Sequence, residues 1–293
     1  MAVLIPLLTW RRRTRQRHPR KTHPKICARA ARQGNLEVLK WLKENGCTIN
    51  ASVSASAALG GHLEVLKWLK EIGSPISENI CPLAASGGNA EVLKWLKDNG
   101  HPWDAATAAW AAQAGHLDLL KWLKENGCSW DFGTPALAAS NGHLDLLKWA
   151  KENGCPWPQN IAGHAAVGGH LAVLKWLKEI GSTLDAKTCA SAAGGGHLEA
   201  LQWLRENGCG WDAETCNNAA KEGHAEVLKW AKEQGCPWTE SATFFAAVQG
   251  HFDLLRWLLE NGCPIDTFKV PGLVEAHGDH ELLALVKKHA FAF

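Results

Sequence analysis

A glycine returns at a fixed spacing of 27 residues through nine near-copies of one motif, at Gly34, Gly61, Gly88, Gly115, Gly142, Gly169, Gly196, Gly223 and Gly250. The copy from Gly115 to Cys128 reads GHLDLLKWLKENGC and stands for the rest. A period of this size, held without slippage, marks a repeat array, because so short a unit buries its apolar face only by stacking on its neighbours. The 293 residues are therefore expected to form one elongated array that grows by addition rather than two ordinary domains.

Numbering each unit from its glycine, positions 3 to 12 read as an amphipathic helix. In the fourth copy Leu117, Leu119, Leu120, Trp122 and Leu123 cover one side, while Asp118, Lys121 and Glu125 lie on the other. Asn126-Gly127 ends it, the glycine suiting a left-handed C′ position. Position 17 holds Asn, Ser, Asp or Thr in eight of nine copies (Asn50, Ser77, Asp104, Asp131, Asp185, Asp212, Thr239, Asp266). These are N-cap residues, so a second helix is expected to start there. Position 16 is Trp in five copies and Ile or Leu in four, as a hydrophobic staple onto position 21 would require. In the second helix positions 24 and 25 are Ala-Ala in eight of nine copies, which lets its partner approach closely.

Gly-His-Leu-Glu-Val-Leu-Lys, the later Glu-Asn-Gly, and Ala-Ala before the next glycine together resemble the ankyrin repeat, over residues 26 to about 290. The unit is shorter than the usual length of about 33. The Thr-Pro-Leu-His tetrapeptide is missing, and Trp replaces an aliphatic residue; the pattern is similar to the short, Trp-rich variant seen in protists, algae and large DNA viruses. The resemblance implies an all-α solenoid of stacked helix-turn-helix repeats, occupying residues 26–293. Its β-hairpin fingers are expected to be reduced to a tight loop or absent. A worn C-terminal cap is expected from Gly278, which is spaced 28 from Gly250.

Residues 1–25 differ in kind. They carry Arg11, Arg12, Arg13, Arg15, Arg17, Arg20, Lys21 and Lys25 and no acid, so the overall +2 hides an array with 23 basic residues against 29 acidic ones. Such an arm suits a nuclear import signal, a contact for nucleic acid or an anionic surface, a mitochondrial-type presequence, or a solvated, disordered tail. Leu7-Leu8-Thr9-Trp10 matches the core of the repeat, which makes residues 3–12 a candidate degenerate capping helix. No apolar run approaches the length of about 20 needed to cross a bilayer. Ten cysteines without a CxxC pair point to reduced thiols in an intracellular compartment, cytoplasmic or nuclear.

His at position 2 and Cys at position 14 recur, but without the close pairing of structural zinc sites, and Asn35 and Asn89 replace His in two copies. The reading is a His bonded to backbone at a helix start and a Cys packed as a small apolar group. No catalytic constellation, metal site or cofactor motif emerges, and a non-enzymatic protein is expected. Positions 18, 19, 22, 23 and 26 of the second helix change from copy to copy and are the expected binding face. There Trp110, Phe132 and Leu137 form one apolar group, and Phe244, Phe245 and Phe268 another. His164, Lys187, Glu214, Asn217, Asn218 and Lys221 lie between them. Exposed aromatics on a concave wall read as anchors for another protein, bound by a monomeric scaffold, with nucleic acid on the arm as the alternative.

Overall fold

The computed structural model describes residues 24–290. The capping helix expected at 3–12 and the arm residues Arg11, Arg12, Arg13, Arg15, Arg17, Arg20 and Lys21 lie outside the described residues. Among the described residues there are twenty helices and no strand.

The helices alternate between two kinds. Leucine–tryptophan helices such as Leu63–Glu71, Leu117–Glu125 and Leu198–Glu206 occupy positions 3–11 of their repeats. Alanine helices such as Ala51–Gly60, Ala186–Gly194 and Ala213–Glu222 run on towards the next glycine. An alanine helix, Pro24–Arg32, already precedes Gly34, so a half-repeat opens the described array. A nine-residue helix is marginal alone in water, which leaves packing to hold these in place. Leu66 and Leu69 are fully buried, as are Leu93 and Leu96, Leu120 and Leu123, and Leu201 and Leu204. Each such leucine contributes about 1.5–3 kcal/mol against exposure.

The described residues form two compact bodies, one running to Ala111 and taking in Asp118–Cys128, the other made of Ala112–Leu117 and the residues from Ser129 on. Within the first, the alanine helices 24–32, 51–60 and 80–86 pack side by side in sequence order. Within the second, 133–140, 161–167, 186–194, 213–222, 240–248 and 270–277 do the same. Alanine at positions 24 and 25 is completely buried at Ala57-Ala58, Ala84-Ala85, Ala165-Ala166, Ala192-Ala193 and Ala219-Ala220.

The expected helix stops are present, with φ of +79° at Gly127 and +81° at Gly208. The preceding asparagine adds a bond, Asn126 Nδ2 donating to the Trp122 carbonyl at 2.8 Å and Asn207 Nδ2 to that of Trp203 at 2.7 Å. Caps form at Asn50, Asp104, Asp185 and Asp212, whose side chains accept from backbone N–H groups two or three residues on at 3.0–3.1 Å. Four positions depart from the cap expectation, since the helix after Asp131 is preceded by Phe132 and that after Asp266 starts only at Val270. Ser77 leads into a turn, and its helix starts only at Ile80. Thr239 makes no side-chain cap and instead turns its hydroxyl to Asn217.

The connection between the two helix kinds, Asn99 to Asp104 in the third repeat, is a loop without strand, as the shortened unit requires. Its cysteine, where present, is buried and donates to the carbonyl of the preceding repeat's cap residue. Cys128 donates to Asp104 at 3.2 Å, Cys209 to Asp185 at 3.0 Å and Cys236 to Asp212 at 3.4 Å. The expectation of reduced thiols throughout fails at one place, since Cys27 and Cys47 are joined as a disulfide.

Candidate functional site

Finding a binding face means first removing the side chains committed to the stack. Position 2 is one of them. His62 Nε2 donates to the Arg32 carbonyl at 2.9 Å, His170 to Ser140 and His197 to Val167 at 2.9 Å, and His224 to Gly194 at 3.1 Å. Each acceptor lies thirty residues back, on the alanine helix of the earlier repeat, so the histidine ties successive helix ends together. Asn89 fills the same role, its Nδ2 reaching the Ala58 carbonyl at 3.1 Å.

Position 16 is a second. Its tryptophan packs edge to face on the position-8 tryptophan of the next repeat. The ring centroids are 5.3 Å apart for Trp103 and Trp122, 5.5 Å for Trp130 and Trp149, and 5.8 Å for Trp211 and Trp230. This contact, one repeat further on, is not foreseen from the sequence. A cation from position 10 caps the pair, Lys97 Nζ lying 4.2 Å from the Trp103 ring centre and the Arg205 guanidinium 4.0 Å from that of Trp211. These rings are only half-buried, as amphipathic groups at the edge of a core are.

What remains uncommitted lies on the outer side of the alanine helices. In the first body Trp110 stands 37% exposed. In the second body Phe132 is 60% exposed and Phe268 is 94% exposed, with Leu137 half-buried. Phe244 and Phe245 are half-buried, their rings 5.7 Å apart, and Lys269 Nζ lies 5.0 Å from the Phe244 ring centre. Between these apolar ends Lys187, Glu214 and Lys221 are exposed, and Lys221 pairs with Glu222 at 3.1 Å. Asn218 is half-buried and its Nδ2 donates to the Ala190 carbonyl at 3.3 Å. His164 sits 3.4 Å from the Ser140 hydroxyl, and partial burial pulls its pKa below the usual 6.5.

Asn217 does not belong to this face. It is 3% exposed, and its side-chain oxygen accepts from Thr239 of the next repeat at 3.3 Å. Position 22 lies on the flank where adjacent alanine helices meet, so it is closed over by the neighbour. Sequence reasoning misses Val167 and Val248 at position 26, although they are 51% and 48% exposed. Their signal is the variability of that position, but an aromatic search passes over valine.

Residues 27–69 match the model of a family described as ankyrin repeats (many copies). The match takes in two alanine helices and two leucine–tryptophan helices, and the same alternation continues beyond it. Among solved structures, the chain is similar to the crystal structure of the human ASB11 ankyrin repeat domain. That similarity has 19% identity and a TM-score of 0.47, and covers 62% of this chain and 96% of that one. No curated protein matches the chain.

Proposed function

We propose that the chain as a whole is an ankyrin-repeat protein, extending the match at residues 27–69, and that it is a non-enzymatic, monomeric scaffold that binds another protein on the face of its alanine helices. Ankyrin repeats are in general protein–protein interaction modules. The observation that carries the finer reading is the contrast along one helix face of the second body. Large apolar groups at Phe132, Val167, Val248 and Phe268 stand open to solvent. The positions that hold the stack meanwhile draw on few residue types, His or Asn at position 2 and Trp, Ile or Leu at position 16. An exposed phenylalanine contributes nothing to the fold it stands on, whereas in an interface a buried aromatic anchor is among the costliest side chains to remove. The lack of strand fingers leaves the helix face as the surface through which such a scaffold would work.

The test is proximity labelling with the intact chain and with Phe132→Ala/Phe268→Ala. Proteins labelled by the parent should be lost from the double variant while its thermal unfolding stays unchanged, and a chain lacking residues 1–25 should keep them. An identical labelling profile for parent and double variant would overturn the reading.

A further inference from the structure

Three pairs of cysteines occupy one recurring juxtaposition. The first member stands in an alanine helix at position 21, and the second stands in the loop of the next repeat at position 14. Cys27 and Cys47 are the first such pair, with a sequence separation of 20. Cys189 and Cys209, again 20 apart, bring their sulfurs to 3.0 Å. Cys216 and Cys236, again 20 apart, hold the equivalent places one repeat further on. All four of the latter side chains are essentially inaccessible, at 0% or 1% exposure.

We propose that Cys189–Cys209 and Cys216–Cys236 are dithiol–disulfide couples, modification sites at which oxidation staples each alanine helix to the loop of the repeat that follows. Cys209 and Cys216 belong to one repeat, so the two bonds together link three consecutive repeats beneath Asn218 and Lys221.

Two features beyond proximity support this. In the first pair the loop thiol accepts a hydrogen bond from the helix thiol. That bond lowers the pKa of Cys209 and raises that of Cys189. The loop sulfur is therefore the nucleophile and the helix sulfur the resolving group. Access is through the loop. Cys209 lies between the exposed Gly208 and Gly210, both with open space around them, and Cys236 lies beside the exposed Gly235. The same freedom lets the loop move towards the helix.

With hydrogen peroxide as oxidant, the Cys209 thiolate attacks the O–O bond, giving a sulfenic acid and one water. The Cys189 sulfur then attacks the sulfenic sulfur, forming the S–S bond and expelling the second oxygen as water. Two electrons pass from the sulfurs to the peroxide, and the two thiol hydrogens end in water. Thiol–disulfide exchange with glutathione disulfide reaches the same product with release of two glutathione thiols.

The full chain, reduced and then treated with hydrogen peroxide or glutathione disulfide without denaturant, is unfolded, alkylated and mapped by mass spectrometry without reduction. Cys189, Cys209, Cys216 and Cys236 should lose alkylation together, and cross-linked 189–209 and 216–236 peptides should appear. Cys81 and Cys263 should stay alkylated, because His101 and Thr243 stand where a partner thiol would be. Cys189→Ala, a substitution matched by Ala108 and Ala162 at the same position of other repeats, should leave Cys209 alkylated and the 216–236 link intact. Complete alkylation of the four after oxidation, or pairing scattered among all cysteines, overturns the proposal. So does a Cys189→Ala chain in which Cys209 still becomes protected.

Discussion

The imidazole of His224 rests on Gly196, close enough that a Cβ on the glycine would come to 2.6 Å from the ring. The same ring donates to the Gly194 carbonyl at 3.1 Å. The Gly-His dipeptide of the motif is therefore one half of each of two interlocks: the glycine receives the next repeat's histidine, and the histidine reaches back to the previous glycine. Gly208 offers a control, since its φ of +81° matches the +76° of Gly196 but nothing lies within 4 Å of the place its Cβ would take.

Gly208→Ala should thus carry only the left-handed backbone penalty, about 1 kcal/mol. Gly196→Ala should cost about 2–4 kcal/mol, because the alanine methyl also displaces His224 from its carbonyl. Urea unfolding of the two variants checks the ordering; equal midpoints would remove the interlock.

The bond, rather than the aromatic ring, is what position 2 supplies, because Asn89 makes it with an amide. His224→Asn should be tolerated to within about 1 kcal/mol, whereas His224→Ala leaves the Gly194 carbonyl without its donor and should cost about 1–3 kcal/mol. Urea midpoints of both variants measured side by side decide this, and equal losses would show that ring packing dominates.

Much of this is legible from the period alone. Caps such as Asp185, stops such as Gly127 and the buried leucines follow from local spacing, which a single repeat displays in full. The partners that cross between repeats are not legible. The acceptor for His62 is thirty residues back, Trp103 pairs with Trp122 of the next repeat, and Asn217 is closed over by Thr239. A helical wheel divides a helix into two halves, whereas an alanine helix in a stack has a neighbour on each flank. What stays open is the strip where Trp110, Val167 and Val248 lie and the turns before the helices, where Phe132 and Phe268 lie. The thiol pairs escape the sequence for the same reason, since each joins two repeats.

His164 makes the second body sensitive to mild acid. Partial burial lowers its pKa below 6.5, so between neutral pH and that range the unfolded chain binds more protons than the folded one. Stability therefore rises with pH through this window and is lost as pH falls through about 6.5. His164→Leu, which copies Leu137 at the same position, should flatten the dependence of melting temperature on pH from about 7.5 to about 5.5. A variant with an unchanged slope would assign the acid sensitivity to other groups.

Trp211 is held from two sides, by the Trp230 ring 5.8 Å away and by the Arg205 guanidinium at 4.0 Å. Isoleucine occupies this position in the repeats of Ile49, Ile76 and Ile265, so Trp211→Ile keeps the fold. It should still cost about 1–2 kcal/mol, from the aromatic pair and the cation together. Arg205→Met should recover only the cation's share, about 0.5–1 kcal/mol. Chemical unfolding of the two single variants and the double gives the coupling; strict additivity would mean that the guanidinium and the ring act independently.

Spacing puts Asn217 and Phe268 together on one face, and the structure separates them. At 3% exposure with its oxygen bonded to Thr239, Asn217 belongs to the seam between helices 213–222 and 240–248. Asn217→Leu fills the space without the bond and leaves the Thr239 hydroxyl short of its acceptor, so it should cost about 1–2 kcal/mol. Phe268→Ala, at a side chain 94% exposed, should change stability by less than about 0.5 kcal/mol. Partner capture should respond in the opposite order, falling for Phe268→Ala and holding for Asn217→Leu at temperatures well below its melting point. A Phe268→Ala chain as unstable as Asn217→Leu would mean that the phenylalanine supports the fold, and the open apolar strip could not then be the docking face.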